Sequence, residues 1–425
     1  MEAIEETTEL VERLAALDIG KAVLTACIRV PHEATRGRRR QEVAEYATNT
    51  GSLLRLADRL RELRVSRVAM EATSDYWKPV FYLLEAEGFE CWLLNATHVK
   101  NVLGRPKTDK LDAVWLAKVV ERGMCAPSFV PPKPIRRLRD LTRYRRSLIR
   151  DRTREKQRLE KLLEDAQIKL SVVVSDMFGV SGRAILAALI DGQRDPQVLA
   201  EMARGRLRAK IHQLREALTG HFADHHALLC TKMLERIDAL TADIAELSSA
   251  IEDAISPYAA QVAQLDEVTG VGLRCAQELI AELGVDMDVF PTPAHLASWA
   301  RFAPRTKQSA GRTQPATTGK GNPWLASTLG EIAAVLARSD TFLGERYRRL
   351  SRRRGKLRAI VATGNSLLTV VWHLLADPTA RYHDLGAGYH DSRYHQRHQN
   401  NLIHQLERVT GQKVTLTTRD EPALA

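Results

Sequence analysis

Residues 15–20, AALDIG, decide the fold, because they predict a buried strand that ends on a carboxylate, Asp18, just before a turn at Gly20. The predicted strand runs from Ala15 to Asp18, a second β-rich run follows from Val23 to Val30, and a third strand is predicted from Glu42 to Ala47. Apolar and β-branched runs of this length, separated by glycine and by the basic turn HEATRGRRR, are typical of strands joined in hairpins. The sequence therefore predicts a sheet that begins with hairpin strands.

The stretch that follows alternates helix-like and strand-like patterns. Leucines near helical period predict a helix in GSLLRLADRLREL, residues 51–63. The remaining elements, in chain order, are the strand RVAMEAT, a helix from Tyr76 to Glu87, the strand ECWLLN and a helix around Asp109 to Arg122. Hairpin strands followed by strand–helix units predict an α/β sheet for residues 14–130.

The composition argues against several classes of protein. The chain has 425 residues, 44% of them hydrophobic and 27% charged, which suffices for two or three domains. Five cysteines without any CxxC spacing argue against a zinc finger and against a disulfide framework. The acidic start does not resemble a signal peptide, and no apolar run approaches the roughly 20 residues that a membrane span needs. We therefore expect a cytoplasmic protein with no membrane partner.

The net charge indicates a polyanionic partner. Lysine and arginine together number 63 against 52 acidic residues, which gives a formal charge of +11 and a pI near 9.5. Nucleic acid is the leading partner for such a chain, and an anionic membrane surface is the alternative.

A proline cluster at residues 131–134 marks a boundary, after which the pattern becomes helical. Residues 133–161 hold 13 Lys+Arg against 4 Asp+Glu and carry a stripe of leucine and isoleucine. A second long helical pattern runs from about Ala200 to Ile255, so residues 131–260 predict an antiparallel helical hairpin or coiled coil with a role in oligomerisation. The density of like charge favours nucleic-acid contact by Arg145, Arg146 and Arg150, and a solvated basic face is the alternative.

Residues 261–378 form a third predicted domain, which is mainly helical. In LDEVTGVGLRCAQELIAELG, Gly270 and Gly272 precede a helix in the manner of a helix-hairpin-helix motif. Backbone N–H groups in such a turn can hold a DNA phosphate, and a plain turn between two helices is the alternative. Residues 379–425 are rich in His, Arg, Asn and Tyr, which predicts a basic, flexible tail.

A second basic helix is predicted between Arg346 and Arg358, a stretch with 8 Lys+Arg. Arg349 and Arg353 recur on one face of it, which favours contact with phosphates over a merely solvated face. Eight neutralised phosphates would give a log–log salt slope of roughly −7 on duplex DNA, as an upper bound.

Four carboxylates of the first domain are candidate metal ligands. Asp18 and Glu71 each end an apolar strand, and Asp109 and Asp112 in KTDKLDA are three residues apart on one helix face. If the two strands pair, all four acids can converge, and like charges at that density need cations. Oxygen ligands suit Mg²⁺, and two such ions about 4 Å apart can clamp a phosphoryl transfer. Scattered capping and solvated acids are the alternative.

The segments LDIGK, MEATSDYW and KTDKLDA, in this order and spacing, resemble the DEDD-type insertion-sequence transposases over residues 14–123. The resemblance implies an N-terminal domain of the RuvC-like type within the RNase H-like fold. It also implies that Asp18, Glu71, Asp109 and Asp112 are the catalytic, metal-binding acids. The expected fold class is therefore α/β plus α.

Ser309 lies between Leu296 and Leu329, in a segment with no acidic residue. Five cations surround it, namely Arg301, Arg305, Lys307, Arg312 and Lys320. Glycines let the backbone approach a phosphate there, but the P-loop spacing is absent, so nucleotide hydrolysis is not expected. Because the segment offers no base, the residues alone make Ser309 a phosphate-contacting serine rather than a nucleophile.

The stretch from about Val262 to Leu375 resembles the C-terminal transposase domain of the same family, through VTGVG, FAPRTKQS and TGKGNPWL. The resemblance implies that Ser309 is the nucleophile that forms a covalent phosphoserine link to DNA, although Ala310 stands where the family usually has glycine. It also implies double-stranded DNA as substrate, a structured guide RNA, and assembly into a homodimer or homotetramer.

Together these features predict a prokaryotic, nucleoid-associated DNA transposase or site-specific recombinase with two Mg²⁺ ions at each site. A Holliday-junction-type resolvase or a DNA invertase is one alternative, and a non-catalytic nucleic-acid-binding protein is another. Ser309→Ala separates strand transfer from cleavage by water, and Asp18→Asn separates an enzyme from a binding protein.

Overall fold

The computed structural model of the chain describes residues 11–35, 37–71, 74–94, 108–303 and 318–414, with the backbone alone for residues 307–309, 312–314 and 390–398. The chain divides into two compact units, Met1–Val130 and Pro131–Ala425. A sheet with helices forms the first unit, and helices dominate the second.

The first unit is a five-stranded mixed sheet with helices on both faces. Its strands are β1 (Leu14–Ile19), β2 (Val23–Pro31), β3 (Arg39–Ala47), β4 (Arg67–Glu71) and β5 (Glu90–Leu94), and its described helices are α1 (Thr50–Glu62), α2 (Trp77–Ala86) and α3 (Asp109–Glu121). The strand order is β3-β2-β1-β4-β5. Strand β2 is antiparallel to both of its neighbours, whereas β1, β4 and β5 are parallel. This arrangement is that of the RNase H-like fold and confirms the predicted fold class.

Strand β1 is buried on both faces of the sheet. Ala15 and Leu17 pack with α1 and α2, whereas Leu14 and Ala16 pack with α3. Because successive side chains of a strand point to opposite faces, both sets of alternate residues must be apolar, which explains the run LAAL. The same alternation assigns Asp18 to the face that α3 covers.

The second unit consists of thirteen described α-helices and a short hairpin. The helices are α4 (Lys133–Asp165), α5 (Leu170–Val173), α6 (Val180–Ile190), α7 (Pro196–Glu201), α8 (Ile211–Ala217), α9 (Asp224–Ile255), α10 (Ala259–Asp266), α11 (Leu273–Leu283), α12 (Pro293–Trp299), α13 (Pro323–Leu336), α14 (Phe342–Arg354), α15 (Lys356–Ala376) and α16 (Tyr389–Thr410). Two 3-10 helices, Gly205–Lys210 and Ser256–Tyr258, precede α8 and α10. The hairpin of β6 (Lys307–Ser309) and β7 (Arg312–Gln314) lies between α12 and α13 in the chain.

Helices α4 and α9 pack together as a long antiparallel hairpin, as predicted. Leu159 and Leu163 of α4 share one core with Leu234 and Ile237 of α9. The second long helix begins at Asp224, however, and not near Ala200.

The early start predicted for that helix is wrong, because residues 200–217 fold as separate short helices. Two glycines account for the interruption. Gly205 has a φ of 57°, which breaks a right-handed helix. Gly220 packs so closely that a Cβ there would lie 2.4 Å from the carbonyl oxygen of Ala166. The chain therefore leaves helical geometry at Gly205 and passes close to the end of α4 at Gly220 before α9 begins.

The chain after Asp377 is more ordered than the predicted flexible tail. The side-chain amide of the buried Gln264 donates to the carbonyl oxygens of Asp377, Pro378 and Ala380, at 3.2, 3.1 and 3.1 Å. The backbone N–H of Tyr382 donates to Glu267 at 3.0 Å, and the 22-residue helix α16 follows. The sequence prediction missed these contacts because Gln264 lies more than a hundred residues before Asp377 in the chain.

Helix α15 is, among the described residues, the one helix long and apolar enough to cross a membrane by length and composition. The sequence prediction that no such run exists was therefore too strong. Helix α15 packs against α10, α12, α13 and α14, and it buries leucines such as Leu367 and Leu368. These contacts are those of a core helix.

Candidate active site

Asp18 and Glu71 lie side by side at the ends of two paired parallel strands. The register pairs Leu17 of β1 with Met70 of β4, so the acids occupy the next position along each strand. Adjacent strands are about 4.8 Å apart, and residues at equivalent positions point to the same face. Both acids are half-buried on the face that α3 covers. The structure thus brings together the first two of the four predicted acids.

The row of residues that contains these acids continues across the sheet. Asp18 pairs with Thr25 of β2, and Thr25 pairs with Glu45 of β3. Thr25 is buried, and all of these positions point to the α3 face. Glu45 is therefore an additional acid in the row, which the sequence analysis missed because nothing in the strand pattern distinguishes it from a solvated residue.

Two ion pairs fix the direction in which α3 crosses the sheet. Lys110, in the first turn of α3, lies 3.5 Å from the Glu45 carboxylate. Glu121, at the end of α3, pairs with Arg29 at 2.9 Å, and Arg29 is the register partner of Leu14 at the start of β1. The first turn of α3 therefore lies toward the row of Asp18, and its last turn lies toward the row of Leu14.

Asp109 and Asp112 are both in the first turn of α3, which brings them to the end of the sheet where Asp18 and Glu71 lie. Thr108 caps the helix, because its side-chain oxygen accepts the backbone N–H of Leu111 at 3.3 Å. Asp112 is half-buried and Asp109 is exposed. Acids are also favoured in a first turn by the helix dipole, so this position alone does not prove that they bind a metal.

Carboxylate oxygens are the donors that a hard divalent cation prefers, although the one group with ligand atoms within 4.8 Å of one another among the described residues is Asp165, His225 and His226. The donor set of the four predicted acids is all carboxylate oxygen, it comes from two strand ends and one helix start, and the apolar core of the sheet lies directly behind it. Asp18, Glu71, Asp109 and Asp112 would hold the ion.

Ser309 is the last residue of β6. The register pairs it with Arg312 of β7, so the two residues flank a two-residue connection. The side chains of Ser309, Lys307 and Arg312 lie outside the described residues, as does the whole of Arg305. The backbone position is that of a residue at the tip of a hairpin.

The two ends of the segment that carries this hairpin are held close together. Arg301 has a φ of 61°, and a Cβ on Gly321 would lie 2.7 Å from the carbonyl oxygen of Ala300. Only glycine allows this approach. The next residue, Asn322, caps α13 by accepting the N–H groups of Trp324 and Leu325 at 3.0 and 3.3 Å. Lys320, just before, is exposed.

The arginines of α4 divide into an inward and an outward set. Arg143 donates to both oxygens of the buried Glu282 at 2.7 and 2.8 Å. Arg146 is buried, and it donates from Nη1 to one oxygen of Glu278 and from Nη2 to one oxygen of Glu331. These acids already bind its guanidinium, so Arg146 does not present a free face, which argues against its predicted contact with nucleic acid. Its role is to join α4 to α11 and α13.

Arg145 and Arg150, also predicted to contact nucleic acid, differ from Arg146. Arg145 is buried, and its Nε and Nη2 have no hydrogen-bond partner among the described residues. Burial lowers the pKa of its guanidinium. Arg150 is exposed, and its Nη2 donates to Ser327 at 3.2 Å while the guanidinium lies 5.2 Å from the ring of Trp324. Arg150 is thus placed at the start of α13.

Gly270 and Gly272 lie in the turn between α10 and α11 and have different backbone requirements. Gly270 has a φ of 90°, which side chains rarely adopt, and a Cβ there would contact Ile332 at 3.4 Å. Gly272 is the N-cap residue of α11, and its surroundings are open. No side chain caps α11, so its first N–H groups face the turn.

The basic helix α14 presents a partly buried pair and an exposed end. The Nε atoms of Arg346 and Arg349 are buried and have no hydrogen-bond partner among the described residues. Burial, and then the nearby charge of Arg349, lower the pKa of Arg346. Arg353 is exposed in the last turn. No acid of the described part of the chain forms an ion pair with Arg346 or Arg349, and two adjacent guanidinium groups of this kind suit a phosphate.

A second group of possible metal ligands, Asp165, His225 and His226, lies where α4 ends and α9 begins. His226 is fully engaged, because its Nδ1 accepts the N–H of Ala223 at 3.0 Å and its Nε2 lies 3.1 Å from Asp165. An imidazole that accepts at one nitrogen carries its proton on the other and has no lone pair left for a metal. The group is therefore a cap on α9.

Comparisons with known proteins agree with this arrangement. A family model for transposases with the DEDD acids of IS110 elements matches residues 15–168, and a second, described as transposase of the IS116/IS110/IS902 family, matches residues 262–348. No curated protein gives a significant match. Among solved structures, RuvC of Thermus thermophilus is 14% identical over 27% of this chain and 99% of that chain, with a TM-score of 0.21.

The two matched segments contain both parts of the predicted site. The first includes all four acids, and the second includes Ser309 together with Gly270 and Gly272. Enzymes of this class act on DNA and typically depend on divalent metals. With both models matched in order over more than half of its length, the chain belongs to the IS110 family of DEDD transposases, which are enzymes that cleave DNA and transfer its strands.

Proposed function

We propose that this transposase binds Mg²⁺ through Asp18, Glu71, Asp109 and Asp112, and that Ser309 forms a covalent phosphoserine link with DNA during strand transfer. The observation that carries the proposal is the location of Asp18 and Glu71 on one face of the sheet, at the end where the first turn of α3 lies. Four carboxylates that converged there would repel one another, and bound divalent cations would offset that repulsion.

Asp18 and Glu71 would provide oxygen ligands at the carboxyl ends of β1 and β4, and Asp109 and Asp112 would add ligands from the first turn of α3. Two Mg²⁺ ions, when bound, would neutralise these acids and stabilise the charge that develops on a phosphoryl group in transfer. Asp18 and Glu71 belong to strands with buried cores on both faces, so their main chains are rigid. Rigid ligands keep the reacting phosphate in one orientation.

In the proposed chemistry, the Oγ of Ser309 attacks phosphorus and loses its proton to solvent. The bond from phosphorus to the 3′ oxygen breaks, and that oxygen leaves as a 3′-hydroxyl after taking up a proton. A 3′-hydroxyl of another strand then attacks the phosphoserine, which restores a phosphodiester and the serine hydroxyl. Each step exchanges one phosphate ester for another, so no nucleotide needs to be hydrolysed. Lys320 and Arg150, both exposed near the start of α13, would hold the phosphate.

The remaining proposals concern the partners. The family resemblance supports a structured guide RNA, and the basic residues of α14 support binding to nucleic-acid backbones. A homodimer or homotetramer would allow acids and serines of different subunits to form one composite site. Cytoplasm, in association with the nucleoid, is the proposed location.

The experiment that tests the serine is a trapping assay on element-end DNA in the presence of Mg²⁺. The wild-type chain should yield a denaturation-resistant protein–DNA adduct, with the attachment mapped to Ser309 by mass spectrometry. Ser309→Ala should lose the adduct and strand transfer together, while the exposed Ser298→Ala control keeps both. Cleavage that persists in Ser309→Ala would instead support a resolvase or invertase that activates water at the carboxylates.

A further inference from the structure

The end of the α4–α9 hairpin carries a small helical module, residues 166–222, which we call the hairpin-tip module. It contains α5 to α8 and the 3-10 helix before α8. Its core joins Leu186, Leu199 and Leu214 to Leu163 of α4 and Leu234 of α9. All but its first three residues lie outside the two matched transposase segments, so the family match assigns this module no role.

One surface of the module is strongly cationic. Residues 204–215, RGRLRAKIHQLR, contain five lysines and arginines and no acid. The four cations at its start are exposed, namely Arg204, Arg206, Arg208 and Lys210. His212 is exposed beside them.

Packing fixes the outward direction of these cations. Leu214 is fully buried, and Leu207 and Ile211 pack against the same core. Because the apolar side chains of residues 205–217 point inward, the charged side chains between them must point to solvent. The surface therefore follows from the fold of the module.

The acids near this surface neutralise only part of it. Glu201 pairs with Arg208 at 3.1 Å and with Arg215 at 3.5 Å, and Lys210 donates to the carbonyl oxygen of Val173 at 3.2 Å. Arg204 and Arg206 have no ion-pair partner within the part of the chain that the structure describes. Two exposed and unpaired guanidinium groups thus stand next to three further cations.

We propose that this cationic surface of the hairpin-tip module binds the phosphate backbone of duplex DNA. The proposal rests on the DNA transposase function only for the identity of the polyanion. Helix α4 extends from Arg143, which contacts α11, to Leu163, which contacts the module. At 1.5 Å per residue this is about 30 Å, or about nine base pairs of duplex. The module would hold DNA about one helical turn beyond the part bound near α13.

The proposal is tested by measuring how the affinity of the full chain for DNA depends on duplex length and on salt concentration. The variant is Arg204→Gln with Arg206→Gln, and the probes are a hairpin duplex of about 7 base pairs, shorter than the separation of about 30 Å, and a duplex of about 40 base pairs. Each phosphate contact is worth roughly a five-fold change in affinity at 0.15 M salt. We expect the variant to bind the long duplex about five- to thirty-fold more weakly, with a log–log salt slope lower by about 1 to 2. Binding of the short duplex should be unchanged.

A matched control removes two positive charges that are already neutralised. Lys169 pairs with Glu164, and Lys232 pairs with Glu235 at 2.8 Å, so Lys169→Gln with Lys232→Gln changes the net charge equally. The control should bind the long duplex as the wild type does. Equal losses in both variants would show a general effect of net charge and overturn the proposal. So would an unchanged affinity in the Arg204/Arg206 variant, or a loss seen only with double-stranded RNA.

Failure of this inference and failure of the proposed chemistry give different results. The Arg204/Arg206 variant should keep the adduct at Ser309 once DNA is saturating, because its acids and serine are intact. A chain that binds long DNA through the module but never forms an adduct would contradict the serine chemistry alone.

Discussion

The Lys110 ammonium lies 3.5 Å from the Glu45 carboxylate, which connects the first turn of α3 to the edge strand β3. Both side chains are more than half exposed, so the pair contributes little to stability. The Lys110–Glu45 pair instead shows where the first turn of α3 lies relative to the sheet. Glu45, Thr25 and Asp18 form one row across the sheet, and the pair shows that the helix carrying Asp109 and Asp112 starts beside this row.

Asp18→Asn should abolish DNA cleavage and leave DNA binding intact. The amide keeps the shape of the side chain but removes the negative charge that a divalent cation requires. Because the metal supplies several kcal/mol of charge stabilisation, the cleavage rate should fall about a thousand-fold or more. The measurement is cleavage of end-labelled DNA in Mg²⁺, with the affinity for the same DNA measured in parallel.

The control for this variant is Asp58→Asn, an exposed acid of α1 that pairs with Arg61 at 2.7 Å. It changes the charge of the same unit equally and should cleave DNA normally. Normal cleavage by Asp18→Asn would show that the carboxylate row is structural.

Glu282→Ala should destabilise the second unit strongly. Glu282 is 2% exposed, it receives two hydrogen bonds from Arg143, and Asn322 donates to it at 2.5 Å. Removing one partner of a buried ion pair leaves the other charge uncompensated, which costs about 3–5 kcal/mol. The measurement is the free energy of unfolding in urea.

Two further variants identify the cause of that loss. Glu235→Ala, at an exposed ion pair on α9, should leave the urea midpoint unchanged. Glu282→Leu combined with Arg143→Met should recover part of the stability, because only Arg139, 3.5 Å from Glu282 and still bonded to two backbone carbonyls, then lacks its ion pair. A double variant as unstable as Glu282→Ala would mean that shape, and not charge, sets the cost.

Gly270→Ala and Gly272→Ala should differ although they are two residues apart. At a φ of 90°, alanine at position 270 is strained by about 1–3 kcal/mol and also approaches Ile332. Position 272 has an ordinary φ of −77° and open space, so alanine fits there. Thermal unfolding should show a lower Tm for Gly270→Ala alone. Equal stability of the two variants would contradict the described turn.

The cysteines should be poorly reactive in the folded chain. All five are free, and burial raises the pKa of Cys27, Cys230 and Cys275 to about 11 and that of Cys91 to about 12, from an ordinary 9.0. Since the thiolate is the reactive form, iodoacetamide at pH 8 should label these four thiols far more slowly than in urea. Rapid labelling of the native chain at pH 8 would contradict their burial.

The raised pKa values of the buried cysteines also affect the free energy of unfolding at alkaline pH. A folded pKa above the unfolded one means that the folded state binds the proton more tightly. The resulting stabilisation is complete below pH 9 and is lost as the pH rises toward 11 or 12. The free energy of unfolding should therefore decline across this window, and a variant with Cys91→Ala should decline less steeply.

Much of the first unit could be predicted because its information is local. The run LAAL contains only apolar residues, as a strand that is buried on both faces requires. In the structure, α1 and α2 cover one face of β1 and α3 covers the other. Asp18 and Glu71 were recognisable as strand ends for the same reason. Because β1 and β4 pair in parallel with Leu17 opposite Met70, Asp18 and Glu71 occupy equivalent positions and point to the same face of the sheet.

The second unit could be predicted less well because its contacts are distant in sequence. The partner of Arg143 is Glu282, 139 residues later, so the sequence alone does not show which arginines of α4 are already paired with acids. Likewise, a helical pattern from Ala200 to Ile255 does not reveal that the helix is interrupted at Gly205 or that Gly220 packs against Ala166.

The most direct test of the carboxylate site is anomalous scattering from Mn²⁺ in crystals of this chain bound to an element-end duplex, with Mn²⁺ in place of Mg²⁺. The account predicts one or two peaks within about 2.5 Å of oxygens of Asp18 and Glu71, with Asp109 or Asp112 completing the shell. These peaks should be absent from crystals of Asp18→Asn. Manganese found only elsewhere, for example beside Asp165 and His225, would contradict a metal-dependent site on this sheet.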